Sequence, residues 1–429
     1  MKKILYVLHS GITGGTFLTN KDLMKHVESE YEVYLLSAEK DFFRLYSYKK
    51  GNLNVLKDYP RHLKLNSTFN GKNNEYNHWN AVEFHNSWYS FIYFDILQNF
   101  EIDIIHIRHL INHSFDLPYI AKKLNIPIIL SMHDFYFLCP FYTLLDENNK
   151  YCGGYCSDND KNCYVPMPSL NNINSKKVIS SWRENVLRLF SNIDYFITTS
   201  EFVKNLFLSF YKDKNILNSE NFIVIEHGRD FPAIKKNLLE MPDINKPIKI
   251  LCVANHLNIM KGANLVKRIK MEDKQNNLEF HFLGNCYDDL ENYGIYHGIF
   301  ERDLFYKKVE EIKPSFIGIF SIWPETFCHT LTEAWSCGIP VIGTDIGVVK
   351  DRILKNNGGW IFNRNNPNDA IKLILSLVNN INNVNDNSYL NIIDNINKMN
   401  LKSTKKMSEE YLSIYNYALK KVDNIDIIK

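Results

Sequence analysis

Glu325 and Glu333 stand in the string Pro324-Glu325-Thr326-Phe327-Cys328-His329-Thr330-Leu331-Thr332-Glu333-Ala334-Trp335-Ser336-Cys337-Gly338-Ile339-Pro340-Val341-Ile342. Gly338 suits a helix C-cap and Pro340 forbids continuation, so a short helix ends there and a strand begins. The helix then starts near Phe327 to Thr330. Its free amides and partial positive charge make that end a natural seat for a diphosphate. Glu325 falls in the loop before it and Glu333 further along it. The two carboxylates can therefore reach different hydroxyl-bearing parts of one ligand. Two glutamates taken alone would read as an exposed loop residue and an exposed helix residue; the surrounding string gives them weight.

The elements that must position this string alternate short apolar runs with helical patterns, the mark of parallel α/β architecture. The first series has strands at Lys3–Leu8, Glu32–Ser37, Asp103–Ile107, Ile126–Ser131, Tyr195–Thr199 and Phe222–Ile225, with an amphipathic helix over Thr19–Val27. A proline-marked stretch, 232–247, reads as a linker. A second series follows: strands at Ile248–Val253, Glu279–Leu283, Phe316–Phe320 and Val341–Gly343, and a helix from Gly262. This organisation divides the chain into an N-terminal domain over 1–231, a C-terminal domain over 248–402 and a final helical segment over 403–429. Two such halves suggest paired Rossmann-like domains facing a central cleft, with ligands outside the carboxyl ends of the strands. Asn379–Asn400 is asparagine-rich and reads as exposed helix and loop.

At 429 residues the chain exceeds the size of a single core, which agrees with two domains. A net charge of +2 gives no global reason to expect nucleic-acid binding. The opening Met1-Lys2-Lys3 runs into a short apolar stretch that breaks at His9-Ser10-Gly11, a buried strand rather than a secretory leader. No apolar run reaches the roughly 18 residues that span a bilayer. A cytoplasmic protein with reduced cysteines is expected, and peripheral attachment to the inner face of a membrane stays open. Cys139, Cys152, Cys156 and Cys163 cluster in a polar insertion, 139–163. Four thiols so close could hold a structural zinc tetrahedrally, while packed thiols are the alternative and a disulfide fits a reducing compartment poorly.

The whole Pro324–Ile342 string resembles the signature of the family 4 retaining glycosyltransferases (glycosyl transferases group 1), with its proline–glutamate loop, glutamate-bearing helix and Ala-x-x-Cys/Gly-x-Pro-Val-Ile strand. The resemblance implies a GT-B fold whose C-terminal helix crosses back to the first domain. By it, Glu325 binds donor-sugar hydroxyls, Glu333 the nucleotide ribose, and the amides of Cys328, His329 and Thr330 face the diphosphate. Cys328 stands where the family often has glycine, which narrows the pocket. Gly14 and Gly15, after the first strand, match the family's glycine pair that approaches phosphate or acceptor. His133, in Ser131-Met132-His133-Asp134, matches a histidine contacting the donor sugar. Ser200–Lys204 and Ile225–Asp230 match further landmarks. Lys261, in Lys261-Gly262, is left to offset charge on the departing diphosphate, as a leaving group requires. The arginine usual in the preceding loop is replaced by Asn255-His256. His106 and His109 are placed weakly on the acceptor side.

The reading is transfer of a sugar from a nucleoside diphosphate donor to a hydroxyl acceptor with retained configuration. The partners expected are a nucleotide sugar and a glycan or lipid-linked acceptor of bacterial surface polysaccharide, with no catalytic metal or further cofactor and no nucleic acid. A catalytically silent nucleotide-binding or assembly protein of the same fold is the alternative that the missing arginine supports. A nicotinamide dehydrogenase is the third. Glu39 after the second strand suits it, but Gly11-Ile12-Thr13-Gly14-Gly15 lacks the GxGxxG spacing.

Overall fold

The computed structural model describes residues 1–9, 15–39, 41–61, 84–140, 142–146, 148–156, 178–211, 216–232, 238–287, 289–381 and 388–428. The chain forms two compact units. Unit 1 holds Met1–Leu144, Cys152–Arg229 and Lys402–Lys429; unit 2 holds Leu145–Tyr151 and Asp230–Leu401.

Unit 1 opens with β1 (Lys2–Leu8), α1 (Gly15–Val27) and β2 (Tyr31–Ala38), then β3 (Phe42–Lys49) and β4 (Asn52–Pro60). It continues with α2 (Ser87–Asn99), β5 (Ile104–Ile107), α3 (Asp116–Lys123), β6 (Ile128–Met132), α4 (Val178–Phe190), β7 (Tyr195–Thr198), α5 (Glu201–Tyr211) and β8 (Phe222–Val224). The sheet order is β4-β3-β2-β1-β5-β6-β7-β8. β1, β5, β6, β7 and β8 are parallel and read as near-continuous apolar runs because helices cover both faces. The parallel expectation fails at one edge. β3 and β4 form an antiparallel hairpin on β2, turned by Lys50 and Gly51, both with positive φ (51° and 80°). That is the turn a two-residue hairpin needs, and a lysine at its first position hides the signal that Asn-Gly would give. β4 is largely exposed and ends at Pro60, as befits an edge.

Unit 2 contains β9 (Ile248–Leu257), α6 (Ala263–Glu272), β10 (Leu278–Cys286), β11 (Ile295–Tyr296), α7 (Phe305–Ile312), β12 (Phe316–Ile319) and α8 (His329–Ser336). It ends with β13 (Val341–Thr344), α9 (Gly347–Asn356), β14 (Gly359–Phe362), α10 (Pro367–Asn379) and α11 (Ser388–Lys398). All its strand pairings are parallel, in the order β11-β10-β9-β12-β13-β14. The asparagine-rich stretch is not all surface. Tyr389, Ile392 and Ile396 of α11 are buried at helical spacing, and the Tyr389 hydroxyl donates to the Ser315 carbonyl at 3.0 Å.

The last helix, α12 (Thr404–Ile428), belongs to unit 1. Met407, Tyr411, Ile414, Tyr415, Ala418 and Leu419 join Tyr6, Leu23 and Val27 in its core. Among the described residues no helix is long and apolar enough to cross a membrane.

Candidate active site

The loop between β12 and α8 carries the first glutamate. Glu325 is buried and takes φ 50°, and Cys328, at the N-cap of α8, takes φ 63°. Both lie in the left-handed region that glycine enters without strain, which accounts for glycine being suited to the Cys328 position. Three braces hold the loop there. Thr344 Oγ1 donates to the Ser321 carbonyl at 2.7 Å, and the Val348 amide to the Pro324 carbonyl at 2.9 Å. Gly347, at φ 50°, lies so close that a Cβ would stand 2.3 Å from that Pro324 oxygen. The third brace is Arg352 of α9, which nothing in the sequence singled out. Its Nη1 donates to the Phe327 and Cys328 carbonyls (2.8 and 3.0 Å), its Nη2 to Thr332 Oγ1 (3.0 Å), and it lies 3.9 Å over the Phe327 ring. The C-terminal end matches the sequence reading: the Gly338 amide bonds the Trp335 carbonyl with φ 73° at Gly338, and Pro340 follows.

Lys261 reaches this loop through Gly262. With φ 84°, Gly262 approaches so closely that a Cβ would be 1.9 Å from the Phe320 carbonyl oxygen. The Ile322 amide bonds the Met260 carbonyl at 3.0 Å across the same contact. Lys261 Nζ lies 2.7 Å from Glu325 Oε1, which also accepts from Ser321 Oγ. Burial opposes the lysine's charge, but Glu325 outweighs it and the Lys261 pKa is raised. The ammonium is therefore held, and it offers positive charge rather than base chemistry. Burial, with Glu325 beside it, pushes the Cys328 thiol up to about 12, so no thiolate nucleophile forms there near neutrality. Lys261, Ser321, Glu325, Cys328 and Thr330 line a solvent-open cavity of about 400 Å³.

Glu333 is buried on the first turns of α8, and Arg302 Nε stands 3.5 Å from its Oε1. Arg302 Nη2 is also 3.5 Å from His329 Nδ1. Arg302 is the second residue that sequence reasoning missed; a lone arginine between β11 and α7 carries no motif. Asn255 and His256 are exposed at the end of β9, which runs on as strand past the expected Val253, with an irregular register opposite Leu283–Asn285. The structure thus gathers Lys261, Glu325, Cys328, His329, Thr330 and Glu333 around one helix start.

In unit 1, His133 follows β6, is half-buried and stacks on His227 with ring centres 5.6 Å apart. Burial, then Arg108 and the neighbouring histidines His227, His109 and His106, hold its pKa well below the usual imidazole range. His106 does not line a surface. It is fully buried, with Nδ1 2.6 Å from the Tyr415 hydroxyl and Nε2 2.7 Å from Ser131 Oγ. Arg108 Nη1 donates into the same cluster, to Ser131 Oγ (3.3 Å) and to the Tyr411 hydroxyl (3.2 Å). The weak acceptor-side assignment of His106 thereby gives way to a structural one, because its place on β5 faces α12. His109, also buried, receives the Ile111 amide on Nδ1 and bonds Asp134 through Nε2 (2.9 Å). Gly15 is the exposed first residue of α1; Gly14 lies outside the described residues.

Cys163 also lies outside the described residues. Among those described, no group of three His, Cys, Asp or Glu could hold a metal, so Cys139, Cys152 and Cys156 do not gather as a three-thiol cage. Cys152 Sγ instead points to the Leu144 carbonyl (3.2 Å) and Cys156 Sγ to the Gly154 carbonyl (3.8 Å).

Comparison with known proteins bears on this arrangement. Residues 73–231 match the family model described as Glycosyltransferase Family 4, and residues 235–399 the one described as Glycosyl transferases group 1. A relative from Methanocaldococcus jannaschii, "Uncharacterized glycosyltransferase MJ1178", is 26% identical over 199 residues, 44% of this chain and 51% of that protein. The chain thus spans about half the length of that relative. Among solved structures, Anabaena Alr3699/HepE in complex with UDP aligns over 97% of this chain and 100% of its own at TM-score 0.59 and 13% identity. A glycosyltransferase from Rickettsia africae aligns over 98% and 99% at TM-score 0.60 and 17% identity. At these identities the likeness speaks to the fold.

Proposed function

The chain belongs to the group 1 glycosyltransferases of GT-B fold, and on that premise we propose that it moves a hexosyl or related sugar from a nucleoside diphosphate donor to a hydroxyl acceptor with retained anomeric configuration. The observation that carries this is the Lys261–Glu325 contact of 2.7 Å beside the first turn of α8. A donor brings diphosphate oxygens and sugar hydroxyls together, and this pair offers the cation for the first and the carboxylate for the second. The α8 amides add their partial positive charge to the same spot. In this reading Lys261 stabilises the departing diphosphate, Glu325 holds sugar hydroxyls and Glu333 the ribose. Cys328, His329 and Thr330 lie against the phosphates. His133, kept neutral, is a hydrogen-bonding group for sugar in unit 1. Asn255, His256, Gly14, Gly15 and His109 remain lesser candidates for ligand contact. Catalysis rests on positioning and charge, with Glu325 Oε1 already occupied by Lys261 and Ser321.

The structure of Anabaena Alr3699/HepE, which shares this fold, is a complex with UDP, which makes a uridine diphosphate sugar the first donor to try. The acceptor proposed is a glycan or lipid-linked saccharide of a bacterial surface polymer, modified at the cytoplasmic face of a membrane. Family membership sets aside the dehydrogenase alternative. The test is a panel of nucleotide sugars with wild type and Glu325→Ala. Loss of transfer with an unchanged melting profile supports the assignment, and full activity in the variant sinks it. Diphosphate binding by wild type without turnover of any donor favours the catalytically silent alternative.

A further inference from the structure

The charges at the donor site come in pairs. Lys261 is spent on Glu325 at 2.7 Å, and the pair together is neutral. A departing nucleoside diphosphate carries more than one negative charge, so one lysine shared with a carboxylate leaves it under-compensated. The arginines close to α8 are differently placed. Arg352 is buried and its guanidinium is bonded to the Phe327 and Cys328 carbonyls and Thr332, so its position is fixed. Arg364 is paired with Asp345 at 2.8 Å. Arg302 is partly exposed, its side chain at 26%, and its contacts to Glu333 Oε1 and to His329 Nδ1 are each 3.5 Å, the outer limit of hydrogen bonding. It sits in a single 3₁₀ turn, Arg302–Leu304, whose residues are not buried. The guanidinium thus bridges the carboxylate proposed to take the ribose and the first residue of the helix that faces the diphosphate.

We infer that Arg302 is the second cation of the donor site, which trades its contact with Glu333 for the diphosphate as ribose hydroxyls take over that carboxylate. Three features make the exchange physically sound. A planar guanidinium matches two phosphate oxygens at once. The contact with Glu333 that it gives up is a long one, 3.5 Å. Glu333 loses its cation only when hydroxyl donors replace it, so a buried carboxylate is never left without partners. The arrangement also favours ligands that carry both a ribose and a diphosphate: a nucleoside alone would strip Arg302 from Glu333 and give it nothing in return. This inference rests on the donor-site reading above and assigns a diphosphate-binding residue within it.

Calorimetric titration of wild type, Arg302→Gln and Arg302→Lys tests it, with UDP, GDP and ADP and the matching nucleosides; the tightest base is carried forward. The expected result is diphosphate binding weakened roughly 10- to 100-fold in Arg302→Gln, with nucleoside binding unchanged or tighter. Arg302→Lys should recover part of the diphosphate affinity. Equal losses for diphosphate and nucleoside would mean that Arg302 only props Glu333, and the inference falls. Tighter diphosphate binding in Arg302→Gln would make Arg302 a block and overturn it as well. If wild type binds none of the diphosphates, the donor-site reading falls with it. If wild type binds but Glu333→Gln changes nothing, the ribose assignment fails instead.

Discussion

Lys261 Nζ and Glu325 Oε1 stand 2.7 Å apart, although 64 residues of chain separate them. Glu325 is buried, and the same oxygen accepts from Ser321 Oγ. Lys261→Met should lower transfer by roughly a hundred- to a thousandfold, the loss expected when one charge stabiliser of a departing group is removed. Melting temperature should also fall, because a buried carboxylate loses its cation. Lys261→Arg should restore part of both. Steady-state kinetics beside a thermal melt checks the pair, and an active, unchanged Lys261→Met would remove the lysine from the site.

Arg352 joins α9 to the loop and first turn of α8 through three hydrogen bonds. Arg352→Leu keeps much of the apolar stem but takes a charged donor from the Phe327 and Cys328 carbonyls, the latter keeping the Leu331 amide at 3.2 Å, so unit 2 should lose about 1–3 kcal/mol. Donor affinity should weaken as Cys328 relaxes from its left-handed conformation. Urea denaturation resolves the first effect; a change under 0.5 kcal/mol would show that the carbonyls find other partners.

His113 gives a pH signature. Burial, aided by Arg61 and His109 against an opposing bond to the Leu8 carbonyl, lowers its pKa to about 3. His106 and His133 are lowered in the same direction. A depressed histidine is neutral in the fold while the unfolded chain takes a proton below about 6.5. Between that value and about 3 the unfolded state therefore binds more protons, and stability falls as pH falls, by up to about 1.4 kcal/mol per pH unit per histidine. Carboxylates such as Asp58 and Asp95, whose pKa values are lowered by hydrogen bonds to Arg44 and Tyr59, act only at lower pH. Unfolding free energy should drop steadily from pH 7 to 5, and more shallowly in His113→Phe. A flat profile across that range contradicts the burial of these rings.

Tyr415 ties α12 to the sheet, with its hydroxyl 2.6 Å from His106 Nδ1 and 3.2 Å from the Tyr6 hydroxyl. Tyr415→Phe should cost about 1–3 kcal/mol by leaving buried polar atoms without that partner. Tyr417→Phe, at a 63% exposed position on the same helix, is the control and should change little. Comparable losses in the two variants would show that the hydroxyl network adds nothing specific.

Much of the scaffold was legible because its signals are local. Apolar runs gave most of the parallel strands to within a few residues, missing the short β11 and β14, and Gly338 with Pro340 marked the end of α8. Where local signals were ambiguous, the reading slipped. The Lys50–Gly51 turn concealed an antiparallel hairpin, and asparagines on the outer face of α11 concealed its buried Tyr389, Ile392 and Ile396.

By itself the sequence determined which residues are chemically able to serve and in what order they come: the two glutamates, Lys261 beside a glycine, and a helix start between them. Only the tertiary structure decided what each of them faces. It set Lys261 against Glu325 through the close approach of Gly262 to Phe320, put Arg302 on Glu333, and sank His106 beneath α12. The physical reason is that burial and charge pairing depend on contacts between residues far apart in the chain. No spacing along the sequence encodes which distant carbonyl, hydroxyl or carboxylate a side chain will meet.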